Sequence, residues 1–270
     1  EGVADTETDT GGLHVVSEGE GPDVVLLHGL FGMGSNMRAL SRALRDGYTV
    51  HSVDLPDHGR SAWTRHSDIR SMANALAIWL QSQSIVGAHC VGHSLGGKVA
   101  MQFALDHPAA AASLVLVDIA PVSYPRSHDG IFSALAAVSD AACESRAAAD
   151  GVMAGFIDEP GVRQFLLMSL ARDNAGIYRW RFNREGLQRN YAAFLQAPDY
   201  ATPYADPVLF IRGARSDYVR DGYLPAMHSA FPQASVETLA DCGHWLHAEQ
   251  PALFNSVVRQ FLDRQVGRAW

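Results

Sequence analysis

The chain has 270 residues, enough to bury a sizeable core in one domain or in one domain carrying an insertion. Hydrophobic residues make up 47% and charged residues 19%, which excludes a disordered chain, and 21 Lys+Arg against 29 Asp+Glu leave a formal charge of −8, which repels polyanions and argues against nucleic acid as a partner. Cys90, Cys143 and Cys242 show no C-x-x-C or zinc-type spacing and read as reduced thiols of a cytoplasmic protein, and no apolar run reaches the roughly 18 to 20 residues that span a bilayer.

Residues 1–12 are acidic and polar and read as a disordered lead-in. From residue 13 short apolar, β-rich runs alternate with helical ones, the signature of an α/β fold with a mostly parallel sheet flanked by helices. Strands are expected at 24–27, 48–53, 85–91, 114–118, 208–211 and 236–239, and helices at 36–44, 67–81, 95–106 and 251–262. Between Pro121 and Pro207 the rhythm breaks: 131–149, 162–171 and 185–195 read as helices, and no strand pattern stands out. Strand and helix resume at Val208, so residues 121–203 are expected to be a helical lid inserted into a core formed by 13–120 and 204–270.

The strongest chemical signal is Gly92-His93-Ser94-Leu95-Gly96, a G-x-S-x-G directly after a strand and directly before a helix. Glycines two residues either side of the serine permit a turn too tight for side chains, and the turn projects the Ser94 hydroxyl above the sheet. The Leu95 N–H then lies at a helix N-terminus, where developing negative charge is favoured. A phosphate loop fails on the same stretch, because Val99 stands where Ser or Thr must bind magnesium.

A serine hydroxyl needs a base, and in this chain order the base comes last. His244, in Asp241-Cys242-Gly243-His244-Trp245, sits after the last expected strand and before the last helix; His247, a turn further on, is the weaker candidate. His28-Gly29-Leu30-Phe31-Gly32 follows the first expected strand, where a second oxyanion donor is supplied, either Leu30 N–H or its neighbour Phe31 N–H, with His28 organising the loop. Asp54, Asp57 and His58 lack a further ligand at metal-binding spacing and read as a structural loop.

These stretches, with Asp54 to Ser61, resemble the α/β-hydrolase superfamily. More narrowly, Val117-Asp118-Ile119-Ala120-Pro121, Gly97-Lys98, Trp180-Arg181-Phe182-Asn183 and His244 to Glu249 resemble the small bacterial esterases typified by YbfF, over nearly the whole chain from about residue 13. The resemblance implies a Ser-His-Asp triad, and two aspartates at strand ends compete for its acid: the superfamily position falls on Asp217, the branch position on Asp118, and the resemblance to the branch favours Asp118, with Asp217 the alternative.

The expected function is hydrolysis of short to medium carboxylic esters, with thioesters open, through an acyl-enzyme on Ser94; substrate and water are the partners, and no cofactor is needed. Phe31, His93, Trp180, Phe182 and Trp245 are the expected substrate contacts. A serine nucleophile disfavours dehalogenase and epoxide hydrolase chemistry. A ligand receptor with vestigial activity, a cofactor-free perhydrolase and a carbon–carbon bond hydrolase are the rivals.

Overall fold

The computed structural model describes residues 11–267. In chain order the elements are β1 (Val15–Glu18), β2 (Asp23–Leu27), α1 (Arg38–Leu44), β3 (Thr49–Val53), α2 (Ile69–Ser82), β4 (Ala88–His93), α3 (Leu95–Asp106) and β5 (Ala111–Val117). There follow α4 (Asp129–Asp140), α5 (Arg146–Met153), α6 (Pro160–Leu167), β6 (Leu170–Arg172), β7 (Tyr178–Trp180) and α7 (Arg184–Phe194). The chain then returns through β8 (Val208–Gly213), α8 (Leu224–Ala230), β9 (Ala234–Leu239), α9 (Leu246–Glu249) and α10 (Pro251–Gln265). Of the expected lead-in, residues 1–10 lie outside the described residues, while Gly11 and Gly12 form a turn that accepts the Ala62 N–H at 2.9 Å.

The main sheet of the described residues runs β1-β3-β2-β4-β5-β8-β9, with β1 antiparallel and every other neighbour parallel. A parallel sheet covered on both faces needs apolar side chains on both, which is why β2, β4 and β5 read as unbroken apolar runs. Alternation divides them: Val24, Leu26 and Val91 share one core with Leu40 and Leu44 of α1 and Phe254 and Val258 of α10. Val25, Leu27 and Cys90 belong to the other, with Met72 and Leu76 of α2 and Val99 and Phe103 of α3. That second core continues into Phe132, Leu166, Leu187 and Tyr191, so the elements between β5 and β8 are packed onto the sheet domain.

Strand order reverses beside β2, since β3 lies on one side of it and β4 on the other. The carboxyl ends of β2 and β4 therefore border an open crevice, the place where sheets of this kind bind ligands.

Several elements differ from the reading of the sequence, including the short helices α8 and α9, which it did not expect. The single helix expected at 131–149 is two, because Ala142 turns into the left-handed region at φ 47° and Ser145 caps α5 by accepting the Ala148 N–H. The helix expected at 162–171 stops at Leu167, and its last residues enter an antiparallel hairpin, β6 with β7, whose three-residue strands are too short to display a period. β1 also went unseen; it is a partly exposed edge strand and has no apolar face to advertise.

Candidate active site

Ser94 follows β4 and opens α3 with φ 54° and ψ −116°, a conformation that L-residues avoid. Its flanking glycines are required by proximity: a Cβ at Gly92 would stand 2.3 Å from the Gly96 carbonyl oxygen, and one at Gly96 would stand 2.3 Å from that of Leu27. The helix thus begins directly over the end of β2, and the serine is held at the crevice.

His244 arrives from the loop between β9 and α9, with Nε2 at 3.1 Å from Ser94 Oγ and Nδ1 at 2.7 Å from Asp118 Oδ2. Asp118 ends β5 in a left-handed turn, φ 51°, and is fully buried; its carboxylate also accepts the Gly213 N–H at 3.1 Å and the Ser216 hydroxyl. Asp217 is not at the imidazole. Its side chain is 91% exposed and its nearest cation is Arg220, 4.0 Å away. Two further contacts fix the ring of His244: Tyr218 stacks on it at 3.9 Å, and His93 bonds through Nε2 to the His244 carbonyl at 2.8 Å. Burial, with His247 and His244 nearby, drives His93 well below its ordinary pKa, so it is neutral and its Nε2–H donates. His247 packs against His93 and Phe254 and makes no bond to Ser94.

The Leu30 and Leu95 N–H groups make no hydrogen bond among the described residues. Phe31 N–H is already taken, donating to His58 Nε2 at 3.1 Å. The loop is braced by two buried histidines used alike. His28 accepts the Leu55 N–H on Nε2 at 2.9 Å and donates from Nδ1 to Gly29 O at 2.7 Å; His58 donates from Nδ1 to Pro56 O at 2.9 Å. Burial pushes them down to about 4 and about 3, keeping each neutral and able to accept. The Asp54 and Asp57 carboxylates are occupied as well, Asp54 by Gly34 and Arg60 N–H groups, Asp57 by Thr64 and Asn183.

Two cavities meet at Ser94. One, of about 260 Å³, is walled by Leu95, Ile119, Tyr124, Phe194, Leu195 and Tyr223. The other, of about 290 Å³, is walled by Phe31, Ile131, Val162, Phe165, His244 and Trp245, with His93 at its base. Leu30, Ser94, Ser127, His128 and Tyr218 border both. Phe31, His93 and Trp245 therefore stand at the site, but Trp180 and Phe182 line neither cavity. Trp180 stacks on Phe182 at 5.3 Å and donates Nε1–H to Leu135 O, and Phe182 is buried behind Phe31. They support the pocket wall from behind; a hairpin that went unrecognised gave no means of knowing which way they face.

His128, Tyr218 and Lys98 were missed. Tyr218, an aromatic beside the candidate Asp217, is the one a local pattern signalled. Lys98 is buried, pushed down to about 7 by desolvation, and its ammonium donates to the Leu195 and Gln196 carbonyls at 3.0 and 2.6 Å at the end of α7. Chemically, the arrangement offers a hydroxyl next to an imidazole oriented by a carboxylate, beside two free N–H groups and between two apolar cavities.

Residues 24–257 match the alpha/beta hydrolase family. The chain is 36% identical over 249 residues to the sn-1-specific diacylglycerol lipase ABHD11 of Mus musculus, covering 89% of this chain and 81% of that protein. It is also 36% identical to Esterase YbfF of Escherichia coli (strain K12) over 241 residues, 89% of this chain and 92% of the relative. A marine microorganism esterase of known structure superimposes with TM-score 0.89 and 33% identity, over 92% of this chain and 98% of its own. No helix among the described residues is long and apolar enough to cross a membrane. By matched family, relatives and fold, the chain belongs to the alpha/beta hydrolase family and is a carboxylic ester hydrolase.

Proposed function

We propose that Ser94, His244 and Asp118 act as nucleophile, base and orienting acid in two-step hydrolysis of carboxylic esters, thioesters included. The observation that carries this reading is the continuous hydrogen-bond chain from Ser94 Oγ through His244 to Asp118 at the junction of two apolar cavities. His244 takes the Ser94 proton as Oγ bonds to the carbonyl carbon, and the oxyanion lies on the Leu95 and Leu30 N–H groups. Collapse breaks the ester bond, and the proton passes from His244 to the departing alcohol. Water then gives a proton to His244 and attacks the acyl-enzyme; acid leaves and Ser94 recovers its proton.

The two cavities divide the substrate between them. His244 must reach the departing oxygen, so the leaving group belongs in the cavity that His244 and Trp245 line, and the acyl chain in the one walled by Leu95, Ile119 and Phe194. Residues 121–203 serve as a lid over a core formed by 13–120 and 204–270. In support, α4 and α6 supply Ile131, Val162 and Phe165, and the end of α7 supplies Phe194 and Leu195. The acyl cavity, of about 260 Å³, suits short to medium chains.

Replacing Ser94 with Ala should lower turnover of a chromogenic short-chain ester by on the order of 10⁵-fold or more while the thermal unfolding midpoint stays near that of the parent. Unchanged turnover in this variant sinks the proposal.

A further inference from the structure

The net charge of −8 makes the surface as a whole hostile to anions, yet five arginines surround one cleft of about 360 Å³ that Ser94 does not line. Arg38 and Arg42 stand four residues apart on one face of α1, and Arg45 follows that helix. Arg60 comes from the loop after β3, and Arg181 from between β7 and α7. These last two segments are joined, because Gly59 N–H donates to Arg181 O at 2.6 Å. Three separate stretches of chain thus bring cations to the same concavity.

The acids there do not neutralise them. Glu18 is engaged by Arg45 at 3.0 Å and by the Ser41 hydroxyl, and it attracts Arg38 without a direct bond. The Asp54 carboxylate is filled by backbone donors. The guanidinium groups of Arg38, Arg42, Arg60 and Arg181 have no hydrogen-bond or ion-pair partner among the described residues, and five arginines against Glu18 and Asp54 leave a local charge of +3. Like charges four residues apart on a helix destabilise it, so the Arg38–Arg42 pair is an unfavourable one that a bound anion would relieve.

We infer that this cleft binds a soluble phosphate-bearing anion, held between the α1 arginines and the Arg60–Arg181 pair. A guanidinium offers paired N–H donors in a fork that matches two phosphate oxygens, and four unpaired forks in one cavity call for a ligand with more than one negative charge. A single carboxylate satisfies one of them. Neither Ser94 nor His244 lines the cleft, so the site is separate from the ester-binding cavities and does not depend on the assignment of the nucleophile.

Calorimetric titration of the whole chain with sodium pyrophosphate tests this. We expect saturable binding that weakens as salt screens the charges. The double variants Arg38→Ala/Arg42→Ala and Arg60→Ala/Arg181→Ala should each weaken it at least about tenfold. Their side chains are exposed, so folding is preserved, with thermal unfolding as the check. Ser94→Ala should bind pyrophosphate like the parent chain. Absence of saturable heat, or undiminished affinity in both double variants, overturns the inference. Sedimentation with phosphatidic acid vesicles in the absence of any pyrophosphate binding overturns it too, in favour of contact with a membrane surface.

Discussion

The rim of the sheet and the layer above it hold the site in different ways. At the rim, backbone dictates position: Ser94 and Asp118 sit in left-handed conformations, Gly92 and Gly96 allow chain segments to touch, and His28 and His58 each bond a backbone N–H. In the layer, the contacts on the cavities are aliphatic side chains and rings, such as Phe165 against Trp245 at 5.7 Å. Hydrogen bonds constrain geometry more tightly than apolar packing does. The proposed function thus places the chemistry on the part that tolerates least displacement, and substrate choice on the part that can be recut by one side chain.

If the division is right, changes at the rim abolish reaction and changes in the layer redirect it. The largest effect after loss of Ser94 is expected for Asp118→Asn, which should lower kcat by about 10⁴-fold, since an orienting carboxylate that becomes an amide favours the wrong imidazole tautomer. Steady-state kinetics on the chromogenic ester measures it. His58→Ala should cost about 1–3 kcal/mol of folding stability by stranding the buried Phe31 N–H, read by denaturant unfolding.

The same histidines predict a pH dependence of stability. Unfolded imidazoles take up protons below about 6.5, whereas folded His28 and His58 resist until about 4 and about 3. The unfolded chain therefore binds more protons in that window, and stability present at pH 7 is lost as pH falls toward 4. The thermal midpoint should drop between pH 7 and pH 4.5, and less steeply in His58→Ala.

In the cavity that Phe165 of the layer shares with Trp245 of the loop after β9, Phe165→Ala or Trp245→Ala should change the preference between bulky and small alcohol groups by about tenfold with little effect on small esters, within the 1–3 kcal/mol typical of apolar pocket contacts. The smallest effect belongs to Asp217→Asn, whose exposed carboxylate predicts activity within about twofold of the parent. Inverted results for Asp118→Asn and Asp217→Asn would break the comparison.

How much of this was legible in the sequence follows the same line. The order of strands and helices and the turn at Ser94 announce themselves locally, through apolar period and glycine spacing. The choice between Asp118 and Asp217 was not local: both end strands, and only the adjacency of β5 and β8, with Asp118 bent back onto Gly213 and Ser216, brings one of them to the imidazole. Trp180 and Phe182 were misplaced because the direction of a ring on a three-residue strand depends on the hairpin's partners. The arginine cleft was hidden by averaging, since a total charge says nothing of where cations gather.

The layer rests on two abutments. One is Lys98 beneath the end of α7, reinforced where Tyr124 N–H meets Leu195 O; the other is Asn183 and Ser169 bonded to Asp57 and Phe31. α5 and α6 precede Ser169, Asn183 and Leu195 in the chain and rest on apolar contacts, among them Leu166 in the core and Phe165 against Trp245, and α6 borders the cavity proposed for the leaving group. The cavity proposed for the acyl chain lies beside the Lys98 footing. A series of esters varied at one end and then the other should accordingly reveal an enzyme strict about its acid and lenient about its alcohol.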